Sequence, residues 1–313
     1  MAYSALSDDV PTVSQFTRRK KVTITTDGTS TPADYQVNLT ITYKHGMQAD
    51  FGDIRFNTID KGYVDYWIES YVASTSAVVW VELPDAITHP GSDMIWMYYG
   101  NDDLSDGGDI EDTFDFGDDF PGSSIDTGKW DVTGTVSVAD SKVSLNEDDR
   151  ILGKTSLGYG YIAHSYAIAD EQDTGFLGMS ESIGTDTNSL EILNSDLSHP
   201  DNFDLLVTIT NNASTQNVSS IDDVVDWRSY RAYTITRLSN EVRYYVDGNL
   251  FDTETSSTYL PTVSLKPRMR VWDSSQASTL TCDWIFVRKY IANEPIPTYS
   301  TVQRQRRVAQ FIG

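Results

Sequence analysis

Apolar and polar positions alternate with a period of two along most of this chain. Turn residues interrupt the alternation every ~8–12 residues. In the first hundred residues the pattern predicts strands over 21–26, 35–43, 67–72, 77–83 and 94–99, rich in Val, Tyr and Trp. Asp27-Gly28, His45-Gly46, Lys61-Gly62, Pro84-Asp85 and Pro90-Gly91 supply the turns between them. No helix-period stretch stands out. From Gly100 to Asp119 the apolar residues thin out and acidic ones take over, as at a domain boundary. Beyond it, strands are predicted over 132–138, 142–145, 161–168, 176–179, 190–193, 203–210, 230–237, 241–246, 268–272 and 282–290. The pair 230–237 and 241–246 alternates most cleanly, around Leu238-Ser239-Asn240. The expected fold is all-β: an N-terminal β-sandwich, then a second β-sandwich. The expected segments are an arm over 1–19, a β-rich domain over 20–105, an acidic linker over 106–118, a sandwich over 119–292 and a tail over 293–313.

Two sets of residues carry family resemblances. Asp50-Phe51-Gly52-Asp53-Ile54-Arg55-Phe56, Tyr66-Trp67-Ile68-Glu69, Val79-Trp80-Val81 and Ile95-Trp96-Met97-Tyr98-Tyr99-Gly100-Asn101 come in the order of domain of unknown function 2341. The first half resembles that family. The resemblance implies a β-rich module of archaeal and bacterial surface proteins, frequently followed by a concanavalin-A-like domain. In the second half, Asp118 to Trp130 and Asp283 to Tyr290 look like the opening and closing edges of a concanavalin-A-like jelly roll. That fold is shared by lectins, laminin-G modules and laminarinase-type glycosidases.

The glycosidases of that superfamily carry a Glu-x-Asp-x-x-Glu strand, which serves retaining hydrolysis with carboxyls ~5 Å apart. The nearest match here is Glu191-Ile192-Leu193-Asn194-Ser195-Asp196, with Leu193 in place of the middle acid and a shorter Asp at the end. The chain is therefore expected not to be an enzyme, with no catalytic residues. The resemblance also implies a structural calcium held by Asp283 and Asp119, in competition with Asp283 simply capping a turn. Trp67, Trp80 and Trp96 are expected in the core. Cys282 is the single cysteine, and His45, His89, His164 and His199 lack ligand spacing. Asn38, Asn212 and Asn217 open glycosylation sequons at close to chance frequency.

Charge narrows the partners. The chain has 46 acidic residues against 23 basic ones, a net charge of -23, and Asp outnumbers Glu 36 to 10. Such a surface repels nucleic acid. A solvated acidic surface and adaptation to high salt both fit it, and the latter predicts stability that rises with salt. Residues 1–16 show no secretory signal, and no run approaches the ~18 apolar residues of a membrane span. A surface-protein resemblance without a visible export address suggests a virion. The expectation is a non-enzymatic structural protein on the virion surface of a halophilic archaeal virus, a capsid turret, decoration or tail fibre. Its expected partners are further copies of itself, other virion proteins and a host-surface glycan, with no nucleic acid and no membrane insertion. The alternatives are a cell-surface carbohydrate-binding adhesin and a glycoside hydrolase.

Overall fold

The computed structural model describes residues 13–169, 175–184, 187–195, 204–219, 228–271 and 278–304. They divide into two compact units. One runs up to Thr113 and resumes at Ile291; the other is Phe114–Tyr290. In chain terms the second unit is an insertion in the first.

The first unit opens with β1 (Arg18–Thr25), β2 (Tyr35–Thr42), β3 (Arg55–Thr58), β4 (Gly62–Val64), β5 (Tyr66–Val72), β6 (Ser76–Leu83) and β7 (Ser92–Tyr99), then a single turn of helix, α1 (Ile110–Thr113). The strands alternate as their sequences do. Val22 and Ile24 of β1 and Ile95, Met97 and Tyr99 of β7 are buried from one sheet. Val37, Leu39 and Ile41 of β2 and Val79, Val81 and Leu83 of β6 meet them from the other, ordered β2-β6-β5. Each such side chain stabilises the unit by about 1.5–3 kcal/mol through water exclusion.

The second unit comprises β8 (Phe116–Asp118), β9 (Trp130–Thr133), β10 (Ser137–Ala139), β11 (Lys142–Leu145), β12 (Arg150–Gly153), β13 (Tyr161–Ala169), β14 (Gly175–Ser180), β15 (Ser189–Ser195), β16 (Asp204–Asn211), β17 (Ser214–Ser219), β18 (Arg231–Arg237), β19 (Val242–Val246), β20 (Asn249–Glu254), β21 (Lys266–Val271) and β22 (Leu280–Lys289). They form a jelly-roll sandwich. An eight-stranded sheet, β10-β11-β22-β13-β18-β19-β20 with β8 on β22, faces a seven-stranded one, β17-β16-β15-β14-β21-β12-β9. Leu177, Leu190, Ile192, Met269 and Val271 fill the core from the seven-stranded side, and Ala163, Tyr233, Ile235, Ile285 and Val287 from the other.

The chain then returns to the first unit. β23 (Ile296–Tyr299) and β24 (Gln303–Arg304) both pair with β1, completing the six-stranded sheet β23-β1-β7-β3-β4. Several expected boundaries change. Residues 296–304 are not a tail but a sheet edge. The arm 1–19 gives Arg18 and Arg19 to β1, and Phe16 is fully buried. The linker 106–118 holds α1 and β8, and its main chain is anchored, with Asp109 N–H donating to the Tyr66 carbonyl at 2.8 Å. The strand expected over 132–138 breaks in two at Gly134, whose φ is +91°. A Cβ there would lie 2.0 Å from Asp149 Oδ1, which accepts the Thr135 N–H instead. Among the described residues no helix is long and apolar enough to cross a membrane.

Candidate functional site

β15 carries the segment that resembles a catalytic strand. Leu190 and Ile192 enter the core, so Glu191 points to the opposite face of the seven-stranded sheet. There it is 0% exposed. Its Oε1 accepts from Arg268 Nε at 3.0 Å and Nη2 at 2.7 Å, and its Oε2 accepts from Arg270 Nη2 at 2.8 Å. Both arginines are buried on β21, and Arg268 Nη1 also donates to the Ser182 carbonyl at 3.2 Å. β14 runs between the two partner strands, and Gly178 stands in register with both Glu191 and Arg268. A Cβ on Gly178 would come within 2.0 Å of the Leu190 carbonyl oxygen. The close approach of the β15 main chain leaves no room for a side chain at Gly178.

Glu191 so held is not a free carboxylate. A retaining site needs one carboxylate free to attack and a second to protonate the leaving group. Glu191 accepts three hydrogen bonds from two guanidinium groups. The residue two positions on is Leu193, and Asp196, the last member of the expected set, lies outside the described residues.

The two aspartates expected to hold calcium sit in different settings. Asp283 is skipped in the pairing of β22 with β13, a bulge between the Trp284–Tyr166 and Cys282–Ala167 pairs. Its Oδ1 lies 3.6 Å from Lys142 Nζ. Asp119 follows β8 directly, and its neighbour Asp118 does the anchoring. Asp118 Oδ2 accepts from Trp130 Nε1 at 2.6 Å, and Oδ1 accepts from the Phe120 N–H at 2.8 Å. The opening signature thus ties Asp118 to Trp130 across the intervening loop. Among the described residues no group of three or more His, Cys, Asp or Glu side chains is arranged to hold a metal ion.

The outer face of the eight-stranded sheet carries stacked rings. Tyr230 and Tyr166 lie 5.1 Å apart between centroids, Tyr166 and Trp284 5.7 Å, Trp284 and Phe286 5.3 Å, and Phe286 and Phe114 4.1 Å. Trp284 and Phe286 come from the closing signature, whose Ile285 and Val287 face inward. His164 stacks on Phe286 at 4.7 Å, and its Nε2 accepts from Arg288 Nε at 3.3 Å. That bond requires an unprotonated Nε2. Burial, with the Arg288 charge added, holds the His164 pKa well below the usual 6.5.

In the first unit, the segment resembling the domain of unknown function is a buckle. Asp53 is fully buried, and three main-chain donors reach it: Gln48 N–H at 2.9 Å, Gly100 N–H at 2.6 Å and Asn101 N–H at 3.2 Å. Arg55 spans the carbonyls of Gly52, Ile54 and Ser105. The two ends of the family pattern are thereby fastened to each other. Beside them lies a hollow of about 360 Å³ lined by Asp50, Ile68, Glu69, Ser70, Tyr71 and Asp106. Burial raises the carboxyl pKa values of Glu69 and Asp106, although Trp80 Nε1 donates to Glu69 at 2.7 Å. Trp67 and Trp80 are buried as expected, but Trp96 is half-exposed on the outer face of the six-stranded sheet, with the Arg19 guanidinium 4.1 Å above its ring.

The profile of a family described as Domain of unknown function (DUF2341) matches residues 50–133. No curated protein matches the chain. Among solved structures, the β-glucanase of Bacillus licheniformis aligns at 18% identity over 56% of this chain and 97% of its own, with a TM-score of 0.46. The catalytic domain of an endo-1,3-β-glucanase (laminarinase) from Thermotoga petrophila RKU-1 aligns at 14% identity over 56% of this chain and 97% of its own, with a TM-score of 0.43. A Mycobacterium tuberculosis protein described as an immunostimulatory antigen and pseudo β-1,3-glucanase aligns at 14% identity over 57% of this chain and 99% of its own, with a TM-score of 0.45.

Proposed function

We propose that this chain is a non-enzymatic display protein whose jelly-roll unit engages a glycan. The observation that carries the reading is the Arg268–Glu191–Arg270 cluster. It occupies the sheet face on which a glucanase would need free carboxylates, and it converts the one matching acid into a structural group. In its full form the proposal is a structural protein on the virion surface of a halophilic archaeal virus, a turret, decoration or tail fibre that presents the sandwich to its host. The net charge of -23 supports the saline setting, because counterions screen the self-repulsion of such a surface. Asp119 and Asp283 are proposed as oxygen donors to calcium, with Lys142 as the competing partner of Asp283. Calorimetric titration tests that assignment: loss of calcium binding on Asp283→Asn supports it, and unchanged binding rejects it.

The experiment for the whole reading is light scattering of the purified chain in ~3 M salt and again in dilute buffer. A symmetric oligomer that dissociates or unfolds as salt is removed supports the virion subunit. A salt-indifferent monomer overturns it and leaves a stand-alone adhesin.

A further inference from the structure

Strand β1 begins Arg18-Arg19-Lys20-Lys21, four cations in a chain with twice as many acids as bases. They sit in the interior of the six-stranded sheet, where β1 pairs with β7 on one side and with β23 and β24 on the other. Alternation divides them. Arg18 and Lys20 share the face of Val22 and Ile24, while Arg19 and Lys21 lie on the outer face with Thr23. None of the four forms an ion pair with a carboxylate among the described residues. Arg18 is directly opposite Arg304 of β24, a like-charge pair that costs stability in a sheet. Lys20 has its pKa lowered by burial and by the Lys44 charge. This accumulation of positive charge goes uncompensated within the described fold.

The outer face adds a second kind of group. Lys21 is opposite Trp96 in register, and Trp96 is opposite Asn57 of β3. Arg19 reaches diagonally over the Trp96 ring and donates to Gln303 Oε1 at 3.1 Å. Thr23 and Thr298 form the next row. The face thus combines two cations, an indole, amides and hydroxyls, with Tyr63 opposite Asn57, the exposed Ile296 opposite Thr25 and the buried Tyr98 opposite Arg19. A protein partner would need an apolar patch that excludes water at the centre of the contact, whereas the accessible apolar side chains of this face, Met94, Trp96, Tyr63 and Ile296, are interleaved with Arg19, Lys21, Asn57 and Thr23. A sugar chain needs planar rings and dense hydrogen-bonding groups, and an anionic sugar also needs fixed cations.

We propose that the outer face of the six-stranded sheet, centred on Arg19, Lys21, Trp96 and Asn57, is a binding site for an anionic polysaccharide bearing carboxylate or sulfate groups. The assignment rests on the reading of the chain as a glycan-engaging protein but places the contact in the first unit.

The test is retention of the full chain on immobilised alginate and dextran sulfate, with dextran and laminarin as neutral surfaces and single-stranded DNA as a bare polyanion. The proposal expects retention on an acidic polysaccharide above that on the neutral ones and on DNA. Alginate against dextran sulfate identifies the anionic group. Arg19→Gln with Lys21→Gln should weaken retention on the order of tenfold while leaving the melting temperature within a few degrees. Trp96→Ala is the second variant and should also weaken it. Equal retention on DNA would show that charge alone is read and would sink the proposal. Retention on neutral polysaccharide that the Arg19/Lys21 variant leaves intact overturns this site but preserves the display reading. No retention on any polysaccharide removes both. If the variant changes the oligomeric state and not retention, the face is a contact between copies and the proposal fails.

Discussion

Among the described residues, each unit buries one carboxylate completely, and the two are held in opposite ways. Asp53 in the first unit is held by main-chain N–H groups of Gln48, Gly100 and Asn101. Glu191 in the second is held by the guanidinium groups of Arg268 and Arg270. Main-chain donors cannot be removed by mutation and carry no net charge, so Asp53 binds its own chain into a turn and leaves no ion behind when it is replaced. Guanidinium groups are ions, so Glu191 is needed wherever they are buried. A fully buried acid in a sheet can therefore serve the architecture alone.

The comparison can be broken most severely at Glu191. Glu191→Ala leaves two arginines buried without their anion and should cost about 3–5 kcal/mol in denaturant unfolding. Replacing all three residues together (Glu191→Leu, Arg268→Met, Arg270→Met) should restore most of that loss, because no charge then remains buried. A cost below about 1 kcal/mol for the single change would mean that water, not Glu191, satisfies the arginines. Asp53→Ala should cost less, about 1–3 kcal/mol for the orphaned main-chain donors, and Asp53→Asn about half of that, since the amide oxygen still accepts.

Acidity sharpens the contrast without mutation. The lowered pKa of His164 means that the unfolded chain takes up a proton first as pH falls. The His164 contribution to the stability of the second unit should be full above about 6.5 and decline as pH drops toward the lowered folded value. His164→Gln should flatten that decline. Glu69 and Asp106 in the first unit act in the reverse sense: their raised folded pKa values make their contribution full below about 4 and lost as pH rises through the raised values. Hydrogen exchange followed between about pH 4 and 7 in the strands around each group reads these contributions separately; Asp252 in the second unit, whose pKa burial also raises, acts in the sense of Glu69 and Asp106. The smallest effect is expected from Trp80→Phe, which removes one donor from Glu69 and should cost about 1 kcal/mol in denaturant unfolding.

Alternation made most of the strands legible in the sequence, because a half-buried strand writes its period directly into its residue types. β1 was read three residues short because its first four positions are all charged, and charge carries no in–out signal. β23 is not legible in the sequence because its pairing with β1 spans nearly the whole chain and none of its four residues is buried. The resemblance pointed to Glu191, but its partners lie 77 and 79 residues away, on a strand separated from β15 by β14. Nothing local in the sequence distinguishes Asp118, which reaches Trp130, from Asp119 beside it.

The most direct test is reducing-end release from soluble β-1,3-glucan by the full chain, run beside Glu191→Gln. A structural Glu191 predicts no release above the buffer blank by either protein. Turnover by the native chain that disappears in Glu191→Gln would make that carboxylate a catalyst and contradict the account.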